Sequence, residues 1–218
     1  MIYVYAVLPA NADVPPLRGL DDAAVQSRLA GGLAVAVSEH VAEPPGTPEA
    51  LLRHAEVVEA LAESGAAVLP AGFGLLYSDE AALEAGVGGH AAELQAALER
   101  VRGCAEVGLR VLGPERDAPE APQRGGDYLR ARLRETTGRE RLAAELHDAL
   151  ARHARDSTVN TPPGERLLLS AAYLVPRDGV DDFRGEVVKL ERSHPELALV
   201  CTGPWPPYSF APRTEVRP

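Results

Sequence analysis

Lysine, aromatic side chains and cysteine are all scarce in this 218-residue sequence. Lys189 is the only lysine among 22 lysine and arginine residues. We attribute this skew to codon bias, because exchanging Arg for Lys on a solvated face changes little. Aromatic residues make up 5% of the chain, so a core must come mainly from Ala, Val and Leu. The hydrophobic fraction of 45% is sufficient to build one.

Two further absences concern the cellular compartment. Cys104 and Cys201 lie far apart and form no CxxC motif, which favours buried structural thiols in a reducing cytoplasm. The apolar opening, residues 1–8, is too short for a signal peptide and lacks its basic region. No stretch approaches the roughly 18–20 apolar residues of a transmembrane helix. We therefore expect a cytoplasmic protein without membrane insertion.

The charge is one-sided as well, with a formal net value of −10. Nucleic-acid binding requires a basic surface, so this total argues against a nucleic-acid partner. An arginine-rich stretch around Arg130, Arg132 and Arg134 runs against the trend. Both a solvated helix face and a partner contact are open interpretations of it.

Apolar patterns divide the first half of the chain into short strands and amphipathic helices. A continuous apolar run predicts a strand over 2–8, and the polar residues that follow predict a loop or a short polar helix. Thr47 and Pro48 predict a capped helix that continues to Gly65. The other predicted elements are strands over 33–37, 66–69 and 105–111, a helix starting near 78–80, and one ending at Gly103.

The second half follows a break in the pattern. Residues 113–126 contain three prolines, three glycines and five charged residues without a period, which predicts a domain boundary. Beyond it we predict a helix over about 127–154, a strand over 167–175, a helix with an apolar stripe from Val180 to Leu190, and a strand over 197–202. The predicted fold class is α+β. It has two α/β-sandwich-like domains, 1–113 and 127–218, joined by the linker 114–126, and the second domain is ferredoxin-like.

Several fragments of catalytic and cofactor motifs occur, and each lacks its partner residues. His54-Ala55-Glu56 matches the H-x-E of zinc deaminases, but no P-C-x-x-C pair is present to supply thiolates. His147 and His153 are six residues apart, so they point in different directions on a helix. Gly72-Phe73-Gly74 lacks the third glycine of a dinucleotide loop. We therefore predict no catalytic residues, no cofactor and no metal site.

Three segments resemble the GvpF/GvpL family of gas vesicle proteins. Residues 53–58 (RHAEVV) are similar to that family's H-x-E-V-V helix start, and residues 68–74 (VLPAGFG) to its V-L-P-x-x-F-G turn. The third segment is similar to the family's closing motifs, with AYLV at 172–175 and TGPWPPYSF at 202–210. In chain order, the resemblance runs from the YVYAV opening at 3–7 to Phe210.

The resemblance implies an accessory or minor component needed for making gas vesicles. It implies that the protein binds the major shell subunit, GvpA, limits its aggregation and helps to build the shell, with other accessory proteins as further partners. Exposed strand edges would suit a β-rich client. Two alternatives stay open: an enzyme on a ferredoxin-like scaffold, and a minor structural component of the vesicle wall.

Candidate partner-binding or structural residues follow from these motifs. Three of the chain's ten aromatic residues, Trp205, Tyr208 and Phe210, fall within six positions among prolines. Their rings either close the protein's own core or face the client. Outside this segment, we single out one residue of the turn, one of the alternating strand and two of the basic helix: Phe73, Glu106, Arg130 and Arg134.

Overall fold

A computed structural model describes residues 1–114, 125–160 and 166–212, and its contacts divide the chain into two compact units. Unit 1 comprises Met1–Ala105 and Trp205–Pro218, and unit 2 comprises Glu106–Pro204. These divisions differ from the predicted domain limits. The strand that begins at Cys104 belongs to the four-stranded sheet of unit 2, and the aromatic end of the chain returns to unit 1. Most of the predicted linker 114–126 lies outside the described residues.

Unit 1 contains an antiparallel sheet with β1 (Ile2–Leu8) at its centre. The other strands are β2 (Gln26–Ala30), β3 (Leu33–Glu39), β4 (Leu69–Pro70) and β5 (Leu76–Tyr77), in the order β2-β3-β1-β4 with β5 also paired to β1. Every residue of β1 and all but the last of β3 are buried, so the sheet is covered on both faces at these two strands. The predicted strands over 2–8 and 33–37 are confirmed.

Two predictions for unit 1 are wrong. Strand β2 occupies residues that we predicted as loop or polar helix, because its exposed side chains carry no apolar alternation. The strand predicted over 66–69 is instead the two-residue β4, shifted toward the turn. Both are short strands at the margins of the sheet, where pairing with a neighbour decides the conformation more than side-chain pattern does.

The α-helices in the described part of unit 1 are α1 (Pro48–Glu63), α2 (Glu80–Gly88) and α3 (Ala91–Val101). The Thr47 side chain accepts a hydrogen bond from the Ala50 amide at 3.2 Å, and Asp79 accepts one from the Ala82 amide at 2.8 Å. These side chains satisfy donors that an α-helix leaves open at its start. The predicted helix starts are therefore confirmed, and Thr47 caps α1 as predicted.

Unit 2 is built around a four-stranded sheet. Its elements are β6 (Cys104–Leu112), α4 (Gly125–Ala151), β7 (Asp156–Val159), β8 (Leu167–Pro176), α5 (Val180–Ser193) and β9 (Ala198–Trp205). The strand order is β7-β8-β6-β9, and β7 pairs antiparallel with β8. The elements follow the β-α-β-β-α-β order of the ferredoxin-like motif. With two sheets and helices, the α+β class is confirmed.

Side-chain periodicity accounts for the core of unit 2. Alternate residues of β6 are buried at 107, 109 and 111, while Arg110 between them is exposed. Helix α5 buries Val180, Phe183 and Val187, the first three positions of the predicted stripe. Strand β7 was not predicted, because its sequence, DSTV, is polar and half-exposed. Its pairing with β8 is what makes it a strand.

Candidate functional site

Three of the segments that carry the family resemblance meet at one corner of unit 1, whereas AYLV at 172–175 lies in β8 of unit 2. We call this the motif corner and define it as α1, the turn 70–74 and the tail, residues 205–212. Helix α1 contains His54, and the turn contains Phe73. The tail forms a short 3-10 helix, Tyr208–Phe210, that packs against β4.

His54 connects the segments of this corner by hydrogen bonds. It is 2% exposed, and its Nε2 lies 3.1 Å from the carbonyl oxygen of Ala71 in the turn. Because a carbonyl can only accept, Nε2 carries the proton and Nδ1 accepts from the Tyr3 hydroxyl at 2.9 Å. Burial lowers the pKa of His54, and the bond to Ala71 opposes that shift only in part. The neutral imidazole therefore ties α1 to both β1 and the turn.

Aromatic rings surround this imidazole. The His54 ring stacks on Tyr5 with centroids 5.5 Å apart and meets Phe73 edge-on at 5.8 Å. Tyr3 contacts Phe73 at 6.1 Å and accepts a hydrogen bond from the Gly74 amide at 3.2 Å. Burial raises the pKa of Tyr3 to about 12, so its hydroxyl stays protonated and able to donate. Gly74 has a φ of +88°, a conformation that favours glycine.

A second series of hydrogen bonds lies beside the one that joins Tyr3, His54 and Ala71. The Leu20 amide donates to the Tyr5 hydroxyl at 2.9 Å, which is 2.9 Å from the Ser38 hydroxyl. Ser38 in turn lies 2.8 Å from Nε2 of His40, whose Nδ1 is 3.3 Å from Asp21. The series satisfies polar groups that would otherwise be costly inside the core. It also fixes the position of Tyr5 under His54.

The tail buries one ring and leaves two half-exposed. Phe210 is 4% exposed, and its carbonyl oxygen accepts a 2.8 Å hydrogen bond from the Arg100 guanidinium. Trp205 and Tyr208 are 47% and 40% exposed. Burial, with a smaller effect of the Glu59 carboxylate on α1, raises the pKa of Tyr208 to about 12. A groove of about 340 Å³ lies between α3 and the tail, lined in part by Ala97, Arg100 and Phe210.

This arrangement suits binding better than chemistry. Both nitrogens of His54 are occupied by hydrogen bonds, and the ring has almost no access to solvent. It therefore lacks the free proton-transfer site that a general base needs. The exposed halves of Trp205 and Tyr208 are, in contrast, the kind of amphipathic ring surface that contributes strongly at protein interfaces.

The remaining candidate residues belong to unit 2. Glu106 is half-buried in β6, and Arg130 and Arg134 are exposed on α4. Their spacing of four residues places the two arginines on one side of that helix. The structure thus groups Phe73 with the three tail rings in unit 1, and Glu106 with the arginines in unit 2. Their role in binding stays a prediction.

Two features of unit 1 were not predicted from the sequence: the contact of His54 with the turn, and strand β2. His54 and Tyr3 lie inside the motif segments, but a histidine in a helix does not reveal that its partner is a carbonyl seventeen residues away. Strand β2 could have been found from Gly31-Gly32, since two glycines between strands are a hairpin signal. The polar sequence of β2 concealed it.

Residues 1–114, 125–160 and 166–212 contain neither a cluster suited to a metal ion nor a membrane-spanning helix. No group of three or more His, Cys, Asp and Glu side chains in these ranges is placed to hold a metal ion. No helix within them has the combined length and apolar character required to cross a bilayer.

The fold and the motif corner define a class of protein: a two-unit α+β protein with a buried aromatic cluster around His54 and a partly exposed aromatic tail that packs against β4. Comparison with known families gives the assignment. The chain belongs to the family described as gas vesicle synthesis protein GvpL/GvpF, whose model matches residues 1–212. That range includes every segment of the motif corner.

Individual relatives agree with this assignment. The chain is 28% identical over 170 residues to gas vesicle protein F1 of Halobacterium salinarum, covering 77% of this chain and 71% of that protein. It is 37% identical over 138 residues to gas vesicle protein L of a Streptomyces species, covering 53% and 51% respectively. The crystal structure of GvpF from Anabaena has the same fold, with a TM-score of 0.81 at 21% identity over 97% of this chain and 95% of that one.

Proposed function

We propose that this protein is an assembly accessory protein of gas vesicles that binds the major shell subunit, GvpA. By covering apolar surface of GvpA it limits aggregation and helps the subunit to join the growing shell. It acts in the cytoplasm, in association with the vesicle, without nucleotide, metal or catalysis. Other gas vesicle accessory proteins are further partners.

The family match over residues 1–212 is the observation that carries this proposal. Relatives on both the F and the L side are named gas vesicle proteins. The physical features support a binding role, because the tail, whose 3-10 helix packs against β4, leaves the rings of Trp205 and Tyr208 half-exposed. A rigid aromatic surface loses little conformational entropy when a partner binds.

Light scattering during refolding of GvpA tests the proposal. GvpA is diluted from denaturant with and without an equimolar amount of this protein, in buffer lacking ATP. We expect less scattering and a soluble complex that elutes at a larger size on gel filtration. Unrelated acidic protein at the same concentration is the control. Undiminished scattering, or protection that appears only with ATP, would contradict the proposal.

A further inference from the structure

Strand β2 is the outermost strand on one side of the sheet in unit 1, and its pairing with β3 is regular. Ala30 pairs with Leu33 across Gly31 and Gly32, and the register continues to Gln26 opposite Val37. Both glycines have positive φ, 56° and 75°, as the tight two-residue hairpin turn requires. In such a hairpin the closing pair is hydrogen-bonded, and the bonding alternates along the ladder.

This alternation decides which backbone groups of β2 face outward. Residues 26, 28 and 30 direct their N–H and C=O groups to β3. Ser27 and Leu29 direct theirs to the open side of the sheet. Among the described residues, neither Ser27 nor Leu29 has a hydrogen-bond partner for these outward groups. The side chains of both are exposed, and Leu29 is 70% exposed.

An edge of this kind usually carries a device that prevents another strand from pairing with it, such as a proline, an outward lysine or a cover. Strand β2 contains no proline and no lysine. Its one charged residue, Arg28, lies on the opposite face from Leu29, 2.8 Å from Glu39 and 3.4 Å from Glu80. The opposite side of the sheet differs, because the strands there are two residues long and the tail packs against β4.

Helix α2 holds this edge in place. Glu84 of α2 accepts a hydrogen bond from the Gly31 amide at 3.0 Å, and Glu80 at the start of α2 meets Arg28. A Cβ on Gly31 would lie 2.7 Å from the Cα of Gly88, so the hairpin turn and α2 are in close contact. The backbone groups of Ser27 and Leu29 are therefore presented by a supported strand.

We propose that the open edge of β2 receives an extended apolar strand of the shell subunit, which adds to the sheet by backbone hydrogen bonds. The inference rests on the proposed function and assigns the binding to one surface. Backbone groups of Ser27 and Leu29 supply the hydrogen bonds, and the Leu29 side chain contacts an apolar side chain of the added strand. Strand addition gains affinity from the main chain and needs little sequence specificity.

The test compares two edge variants with two matched controls in binding to GvpA. Ser27→Pro removes an outward N–H that the ladder with β3 does not use, whereas Ser27→Ala keeps it. Leu29→Lys places a charge on the edge, and Leu133→Lys makes the same change at a leucine of unit 2 that is 68% exposed. We expect both edge variants to bind at least about tenfold more weakly and both controls to bind like the wild type.

The folding of each variant and the position of the GvpA contact are measured on the same samples. Far-UV circular dichroism and melting temperature check that each variant is folded. If Ser27→Pro does not fold, the comparison of Leu29→Lys with Leu133→Lys provides the test. Hydrogen exchange of the segment 26–30 should slow when GvpA is bound. Suppose that the wild type binds GvpA, that Leu29→Lys binds equally well and that hydrogen exchange of 26–30 does not slow. The assignment of binding to the β2 edge is then wrong, and the proposed function stands. If the wild type itself does not bind, the proposed function fails. Loss of self-association alone in the edge variants would show that β2 pairs with a second copy, which also overturns the inference.

Discussion

Replacing Phe210 by alanine removes the ring that anchors the tail in unit 1. Phe210 is 4% exposed, and truncating a buried phenylalanine typically costs about 3–5 kcal/mol. Trp205 is 47% exposed, so about half of the roughly 250 Å² of a tryptophan side chain is buried. At about 25 cal/mol per Å² this corresponds to at most about 3 kcal/mol, and the alanine methyl keeps part of it. We therefore expect Trp205→Ala to cost about 2 kcal/mol.

The tail contains its own probe, because Trp205 is the only tryptophan of the chain. Urea unfolding followed by circular dichroism gives the free energy of unfolding for the wild type and the two variants. In Phe210→Ala, tryptophan emission should shift to longer wavelength at lower urea than the circular dichroism transition, since the tail detaches first. Trp205→Ala should stay folded and bind GvpA more weakly. A cost below about 1 kcal/mol for Phe210→Ala, with unchanged emission, would refute the anchoring role of this ring.

Two further predictions concern the interior of unit 1. Burial lowers the pKa of His54 below the 6.5 of an exposed histidine, so the unfolded chain takes up the proton first. The stability that this provides is complete above about pH 6.5 and should fall by up to about 1.4 kcal/mol per unit as the pH drops below it. In urea titrations at several pH values, His54→Gln should be less stable but less pH-dependent, and an equal slope in both proteins would contradict the assignment. Gly86→Ala should destabilise the protein although alanine favours helices by about 1 kcal/mol, because the new Cβ would lie 2.5 Å from the Tyr77 ring. A melting temperature at or above that of the wild type would show that Tyr77 moves aside freely.

Strands β1 and β2 show where sequence reasoning succeeds and where it stops. Strand β1 is buried on both faces, so its sequence is continuously apolar and unmistakable. Strand β2 lies at the edge and exposes most of its side chains, so its sequence, QSRLA, resembles a loop. Backbone pairing with β3 determines its conformation, and pairing leaves no mark on an exposed side-chain pattern. Strand β7 was missed for the same reason.

The candidate site was predictable in its parts and not in its assembly. The motif segments containing His54, Phe73 and Trp205 were recognised from the sequence. Their meeting at one corner depends on a hydrogen bond from the α1 histidine to the turn and on the return of the tail to unit 1. The H-x-E match at His54 drew attention to this residue, but nothing local to α1 showed that the imidazole contacts Phe73.

The sequence by itself determined the capped starts of α1 and α2, the buried strands β1 and β3, the apolar stripe of α5 and the family resemblance. These features depend on a residue and its near neighbours along the chain, through capping hydrogen bonds and side-chain periodicity. Only the tertiary structure decided that Phe210 is buried while Trp205 and Tyr208 remain half-exposed, and that β2 ends the sheet with an open edge. Burial and edge position depend on which distant segments pack together, and that is settled by the sum of many contacts across the whole unit.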